Sequence, residues 1–240
     1  MNNDIALVVD TNSNYSDVWA PCFGRLDKYA SGIKKYVFTD STTGRTNLPD
    51  DIVPILYDNS ESYRNQFLSC IRQVKEKYII YTSEDYILYD HIQKQVIEEM
   101  SNVLSETNYS FCKFIKGPEL TQHYKDNLYI IDPNDPNFFA QQAALWNTRD
   151  FESIFEAAPS TNTRMQHEPG GSDICRRLGL KGFQYFTNTP RRGLMHHDSE
   201  IYPYIATAVV KGLWNLTEYP AEMAEVIKEF NIDCRERGWR

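Results

Sequence analysis

Cysteine pairs of the CxxC type are missing from this 240-residue chain, and its five cysteines (Cys22, Cys70, Cys112, Cys175, Cys234) are widely spaced and odd in number. That pattern argues against a disulfide framework and against a zinc site, and it fits a reducing compartment. No run of about 20 apolar residues occurs that could span a bilayer. The opening "MNNDIALVVD" lacks a basic segment ahead of a long apolar one, so no signal peptide is read there. A soluble, cytoplasmic protein with no transmembrane segment is therefore expected. Positive charge is also short. Lys and Arg number 25 against 33 Asp and Glu, which leaves a net charge of -8. This argues against nucleic acid or an anionic membrane as partner. An anionic small ligand would need a local positive element, such as a bound cation or a few Arg and His.

What is present describes a globular chain. Hydrophobic residues make up 41% and charged residues 24%, a composition that folds and is long enough to bury a core. Ile5 to Val9 is a continuous apolar run, as expected of a strand buried on both faces. It ends in the polar cluster Asp10-Thr11-Asn12-Ser13-Asn14. Helical spacing follows through Trp19, Phe23, Leu26 and Tyr29 and stops at Gly32. Lys35 to Thr39 reads as a second strand, closed by Asp40, and Ile52 to Leu56 as a third. Phe67, Leu68, Ile71 and Val74 recur at helical spacing ahead of the strand Tyr78 to Tyr81.

Strand, loop and helix in alternation predict the α/β class: a mostly parallel central sheet flanked by helices. Ligands in such sheets sit beyond the carboxyl ends of the strands. Asp10, Asp40 and the adjacent pair Glu84-Asp85 all follow strands on that edge. The second half is more mixed. Helices are expected at His91 to Ser105, Phe151 to Ala157, Ser172 to Leu178 and Ala221 to Phe230. Strands are expected at Phe111 to Ile115, Leu128 to Ile131 and Phe183 to Phe186. The stretch "HEPGGSD" reads as a loop, because Pro169-Gly170-Gly171 invites unusual backbone conformations. No linker or repeat divides the chain, so a single domain over 1–240 is expected.

Four pieces, in order, carry a further likeness: "VVDTN", "YIIYTSEDYILYD", "FFAQQAALWNTRDFESIF", and "QHEPGGSD" with the later "GLMHHDS". Together they resemble GT-A type nucleotide-sugar glycosyltransferases, most closely the small soluble enzymes of algal viruses, phages and bacterial polysaccharide loci. The resemblance implies a single GT-A-like (Rossmann-like) domain with a nucleotide-binding half at 1–110 and an acceptor-side half at 111–240, a nucleoside-diphosphate sugar as donor, and a glycan or small hydroxyl compound as acceptor. It also implies Mn²⁺ or Mg²⁺. The usual acidic motif is Asp-any-Asp, whereas here it reads Ser83-Glu84-Asp85, which leaves open which carboxylate meets metal. The likeness favours Asp85 as the direct ligand, with Glu84 on the ribose or on a metal-bound water. It further implies that His196 or His197 completes the metal site.

The chemistry gives these residue types a reason. Charge grows on a diphosphate leaving group as the glycosidic bond breaks, and a cation held by oxygen ligands neutralises it. Arg191 and Arg192 are candidate phosphate contacts, since a guanidinium matches phosphate bidentately; an exposed basic pair beside Pro190 is the simpler alternative. Asp10, Thr11 and Asn12 are expected at the nucleotide because their loop follows the first strand. Arg64 is either a nucleotide contact or a solvated helix residue. Glu168 is the candidate general base toward the acceptor hydroxyl, which points to an inverting displacement. Asp173 competes for that role, or else stabilises a helix start against the dipole. Trp146 reads as a buried anchor. A sugar nucleotidyltransferase is the rival within the fold, disfavoured because "DTNSNYSD" holds neither glycine nor a basic residue. A carbohydrate-binding scaffold without chemistry is the rival outside enzymology.

Overall fold

The computed structural model describes residues 4–160, 164–192 and 196–240, with the side chains of 164–169 and 196 outside that description. The first ten strands are β1 (Ile5–Asp10), β2 (Lys34–Thr39), β3 (Val53–Leu56), β4 (Tyr78–Ser83), β5 (Ile87–Leu88), β6 (Phe111–Lys113), β7 (Gln122–Lys125), β8 (Leu128–Ile130), β9 (Ala144–Asn147) and β10 (Gly182–Tyr185). Among them run the helices α1 (Trp19–Tyr29), α2 (Tyr63–Ile71), α3 (Lys94–Thr107), α4 (Thr148–Ala157) and α5 (Arg164–Arg177). Five short strands follow: β11 (Arg191–Arg192), β12 (His196–His197), β13 (Tyr204–Ile205), β14 (Val209–Val210) and β15 (Leu213–Trp214). The helices α6 (Pro220–Phe230) and α7 (Cys234–Arg237) complete the order. No helix among the described residues is long and apolar enough to cross a membrane.

Nine strands form one sheet in the order β3-β2-β1-β4-β9-β6-β10-β8-β7. The pairings give β8 and β9 one direction and the other seven strands the opposite one. Every residue of β1 is buried because side chains from both of its faces enter a core. Leu7 and Val9 join Trp19, Phe23 and Leu26 of α1 and Met100 and Leu104 of α3. Ala6 and Val8 join Phe67 and Ile71 of α2 and Phe151 and Phe155 of α4 on the opposite face. Period-two alternation thus feeds two apolar layers, which is why the run carries no polar residue until its end.

β9 and α5 depart from the sequence reading. β9 lies antiparallel between β4 and β6, and places Trp146 opposite both Ile79 and Phe111. Its Ala-Leu-Trp-Asn lacks β-branched residues, so propensity does not mark it as a strand; the pairing is decided by tertiary neighbours. The Trp146 ring stacks on Phe111 at 4.2 Å and on Phe151 at 4.7 Å, inside the core.

The second departure is α5, which runs through "EPGG" instead of beginning at Ser172. Neither Gly170 nor Gly171 has a positive φ. Gly171 serves close approach: a Cβ there would come within 2.1 Å of the Phe139 ring. Ser172 fixes the same contact, accepting from the Phe139 N–H at 3.0 Å and donating to the Pro136 carbonyl at 2.9 Å.

Candidate functional site

The site is built where β1 and β4 end side by side. The two strands are parallel and in register, with Asp10 opposite Ser83. Past β4 the Tyr86 N–H donates to the Ser83 carbonyl at 3.1 Å. This closes a turn whose two central residues are Glu84 and Asp85, and the chain continues into β5, which pairs with β13. The acidic pair therefore sits on a tight turn at the carboxyl edge of the sheet, although no Gly, Pro or Asn marks it.

A cleft of about 600 Å³ opens there, and Asp10, Thr11, Asn12, Ser83, Glu84 and Asp85 all line it. Aromatic side chains form much of the remaining wall: Tyr15, Phe38, Tyr57, Tyr63, Phe67 and Tyr86. Hydrogen bonds hold the lining. The hydroxyls of Tyr63 and Tyr81 each donate to Asp10 Oδ2 at 3.2 Å. Trp19 Nε1 donates to Thr11 Oγ1 at 3.0 Å, and the Tyr57 hydroxyl to the Thr11 carbonyl at 2.9 Å. Gln141 Nε2 donates to the Tyr63 hydroxyl at 2.9 Å, while the Tyr86 hydroxyl donates to the Gln141 carbonyl at 2.9 Å. The 139–141 segment is thereby tied to both cleft walls.

Asp40, at the end of β2, anchors the loop after β1 from behind. It accepts from the Ser13 N–H at 2.7 Å, the Ser13 hydroxyl at 2.8 Å and Asn59 Nδ2 at 2.7 Å. Burial opposes its ionisation, but these hydrogen bonds outweigh that cost and hold the carboxyl below its usual range. Beneath the floor, burial pushes the Cys22 thiol well above its ordinary value, and the negative charges of Glu84 and Asp85 push it further. This cysteine is a packing residue and stays protonated.

The sequence reading did not single out Lys211, a basic residue on this lining. Lys211 and Gly212 form the two-residue loop of the β14–β15 hairpin, with φ of +52° and +80°. Both values are positive, as a type I′ turn requires, and glycine takes the second position without strain. The loop brings Lys211 and Gly212 to the cleft wall, which supplies the positive element that the chain's net charge calls for. A sequence signal exists: "VVKGLW" is two apolar pairs around a two-residue loop ending in glycine.

The other expected site residues lie elsewhere. Arg64 donates to the carbonyls of Phe155 and Glu156, both at 2.9 Å, so it caps the carboxyl end of α4 instead of meeting a nucleotide. Arg192 is bound to Asp198 Oδ2 at 3.0 Å and Glu222 Oε1 at 2.7 Å, and its guanidinium lies 4.9 Å from the Tyr219 ring centroid. Arg191 is exposed on β11, and neither arginine lines the cleft. The His197 Nδ1 sits 3.1 Å from the Thr189 carbonyl, with its ring edge-on to Phe186. Asp173 is exposed on α5, pairs with Arg176 at 2.5 Å and borders a separate cavity. The side chains of Glu168 and His196 fall outside the described residues.

Among the described residues, no group of three or more His, Cys, Asp and Glu side chains makes a ready metal cage. Glu84 and Asp85 meet a smaller demand. Mg²⁺ and its relatives in phosphate sites take one or two carboxylates, with water and substrate phosphates filling the remaining positions. A hard oxygen pair facing an open cleft fits that donor set.

No protein-family model and no curated protein matches the chain. Solved structures do resemble it. The structure of S. aureus TarS 1-349 matches with a TM-score of 0.50 at 9% identity, covering 97% of this chain and 68% of that one. A further structure of S. aureus TarS matches with a TM-score of 0.50 at 11% identity, covering 97% of this chain and 41% of that one. At these identities the likeness is one of fold: an α/β domain with a large, mostly parallel central sheet flanked by helices.

Proposed function

We propose that the protein is a glycosyltransferase that moves a sugar from a nucleoside-diphosphate sugar to a hydroxyl of a glycan or related acceptor. One observation carries this reading: the Asp10–Asn12 loop, the Glu84–Asp85 turn and Lys211 converge on a single cleft at the carboxyl edge of adjacent parallel strands. That edge is where α/β sheets bind nucleotides. The α/β fold shared with the S. aureus TarS structures is compatible with this reading.

In this reading the residues divide the donor between them. The Asp10–Asn12 loop and the tyrosines beside it bind the nucleoside, offering amide and carboxylate groups between aromatic walls. The diphosphate lies toward the acidic turn, with Lys211 opposite as a point charge. Asp85, with Glu84 beside it, would hold a Mg²⁺ or Mn²⁺ ion, which would supply neutralisation of the charge developing on the leaving diphosphate. Gln141, tied to Tyr63 and Tyr86, sets the wall on the acceptor side. Glu168 takes the proton from the acceptor hydroxyl as the new bond forms, which gives inversion. Asp173 is not assigned that role, because its ion pair and exposure hold it on the outer surface of α5.

Calorimetric titration with UDP, CDP, GDP and ADP, each with and without Mn²⁺, tests the reading. Metal-dependent binding of at least one diphosphate is expected. Glycan binding with no nucleotide binding would replace the transferase by a carbohydrate-binding scaffold.

A further inference from the structure

α7 and the residues after it pack against the hairpin that carries Lys211. The Trp214 N–H donates to the Gly238 carbonyl at 3.0 Å, and the Arg240 N–H to the Trp214 carbonyl at 2.9 Å. A parallel bridge joins Trp214 to Trp239. Within this contact Arg237 meets both walls of the cleft. Its Nε donates to Asp17 Oδ2 at 2.7 Å, and Nη2 meets Asp17 Oδ1. Its Nη1 donates to the Gly212 carbonyl at 3.2 Å. The guanidinium also lies 5.0 Å from the Tyr15 ring centroid and 5.8 Å from that of Trp214.

The Arg237 side chain is only 10% exposed and that of Asp17 only 16%. A forked, two-point pair largely removed from water is stiffer than a surface ion pair, because the planar guanidinium fixes direction as well as distance. Tyr15 and Gly212 both line the cleft, one from the loop after β1 and the other from the hairpin tip. Arg237 does not line it. A two-residue hairpin with two-residue strands has little rigidity of its own. What holds its tip at the cleft is the set of bonds converging on one guanidinium.

We propose that Arg237 is a positioning residue: by gripping Asp17, the Tyr15 ring and the Gly212 carbonyl together, it fixes Lys211 at the cleft and so sets affinity for a diphosphate more than for a nucleoside. The proposal rests on the reading of the cleft as a nucleoside-diphosphate site. Arg237 touches no substrate and acts through Lys211.

A double-mutant cycle tests it, using the tightest binder among UDP, CDP, GDP and ADP together with the matching nucleoside. Lys211→Ala should weaken the diphosphate about ten- to a hundredfold, the scale of one charge-assisted hydrogen bond, with little effect on the nucleoside. Arg237→Ala should weaken it about three- to tenfold by lowering the fraction of molecules with Lys211 in place. In the Lys211→Ala background the same change should cost less than about twofold. Asp17→Asn, which keeps shape and removes the charge, should reproduce the direction of Arg237→Ala and guards against a variant that fails to fold. Hydrogen exchange without ligand should speed up across 209–214 in Arg237→Ala and stay unchanged in β1 and β4. Additive losses, equal losses for nucleoside and diphosphate, or unchanged exchange in the hairpin would each overturn the positioning role. If the wild type binds none of the four diphosphates, the reading of the cleft fails, and this inference fails with it.

Discussion

Alanine at Gly170 and alanine at Gly171, adjacent positions on α5, should move stability in opposite directions. At Gly171 the new Cβ would lie 2.1 Å from Phe139 Cδ1 and 2.7 Å from Cε1 and Cγ. The Phe139 ring is buried against Trp146 and Phe151, at 5.8 and 6.4 Å between centroids, and its backbone is held by Ser172. The ring therefore has no free direction in which to retreat. Overpacking of this kind costs about 1–3 kcal/mol. Alanine recovers about 1 kcal/mol of helix propensity, which leaves a net loss of up to about 2 kcal/mol. For a chain of this length each kcal/mol moves Tm by about 2–4 °C, so Gly171→Ala should melt lower by up to about 8 °C. At Gly170 nothing lies within 4 Å of the added Cβ and φ is not positive. There alanine should stabilise by about 0.4–1 kcal/mol and raise Tm. Thermal unfolding of both variants followed by circular dichroism decides the matter. A Gly171→Ala variant stabilised as much as Gly170→Ala would mean that α5 does not press on Phe139, and would return Asp173 to contention as the base.

Three further outcomes are expected. Glu168→Gln should lower turnover about a hundred- to ten-thousand-fold while donor binding stays within a few-fold, and Asp173→Asn should leave turnover intact because its ion pair is exposed; kinetics of the two variants side by side would expose a reversed assignment. Trp146→Ala should destabilise by about 3–5 kcal/mol, whereas Trp146→Phe should cost clearly less, since the indole Nε1 has no hydrogen-bond partner among the described residues; equal losses by urea unfolding would contradict that. Asp40 has its folded pKa below the unfolded one, so its contribution is complete at neutral pH and fades as pH falls below about 4, through the folded value. The stability gap between wild type and Asp40→Ala should therefore shrink between about pH 4 and pH 2, and a gap that is constant or widening there would be inconsistent with the hydrogen-bonded carboxylate.

The strands and helices that proved legible are those whose pattern is decided locally. β1, β2 and β4 are long apolar runs because both faces are buried, and α1 through α3 carry stripes at helical spacing. β7, β9 and β13 have no such pattern; each exists because another segment completes its ladder, as Ile87 does for Ile205. The "EPGG" segment misled for a different reason. Glycine serves either backbone freedom or close approach, and only the position of Phe139 tells which. Within the site, the strand-edge rule brought Asp10, Thr11, Asn12, Glu84 and Asp85 to one cleft. For Arg64 and Arg192 the sequence could not give the observed partners, because a guanidinium's partners lie across the fold: two α4 carbonyls for the first, Asp198 and Glu222 for the second. Lys211 was readable from its hairpin turn, but the sequence does not say where that hairpin docks.

The central claim is that the acidic turn and the cleft around it activate a nucleotide sugar. Release of nucleoside diphosphate from a panel of UDP-, GDP-, CDP- and ADP-sugars, measured with wild type and Asp85→Ala in the presence and absence of Mn²⁺, tests it most directly. Mn²⁺-stimulated release from at least one donor is expected, raised further by a hydroxyl acceptor and lost in an Asp85→Ala protein that still folds. Release that is unchanged in Asp85→Ala, or absent with every donor, would contradict the account.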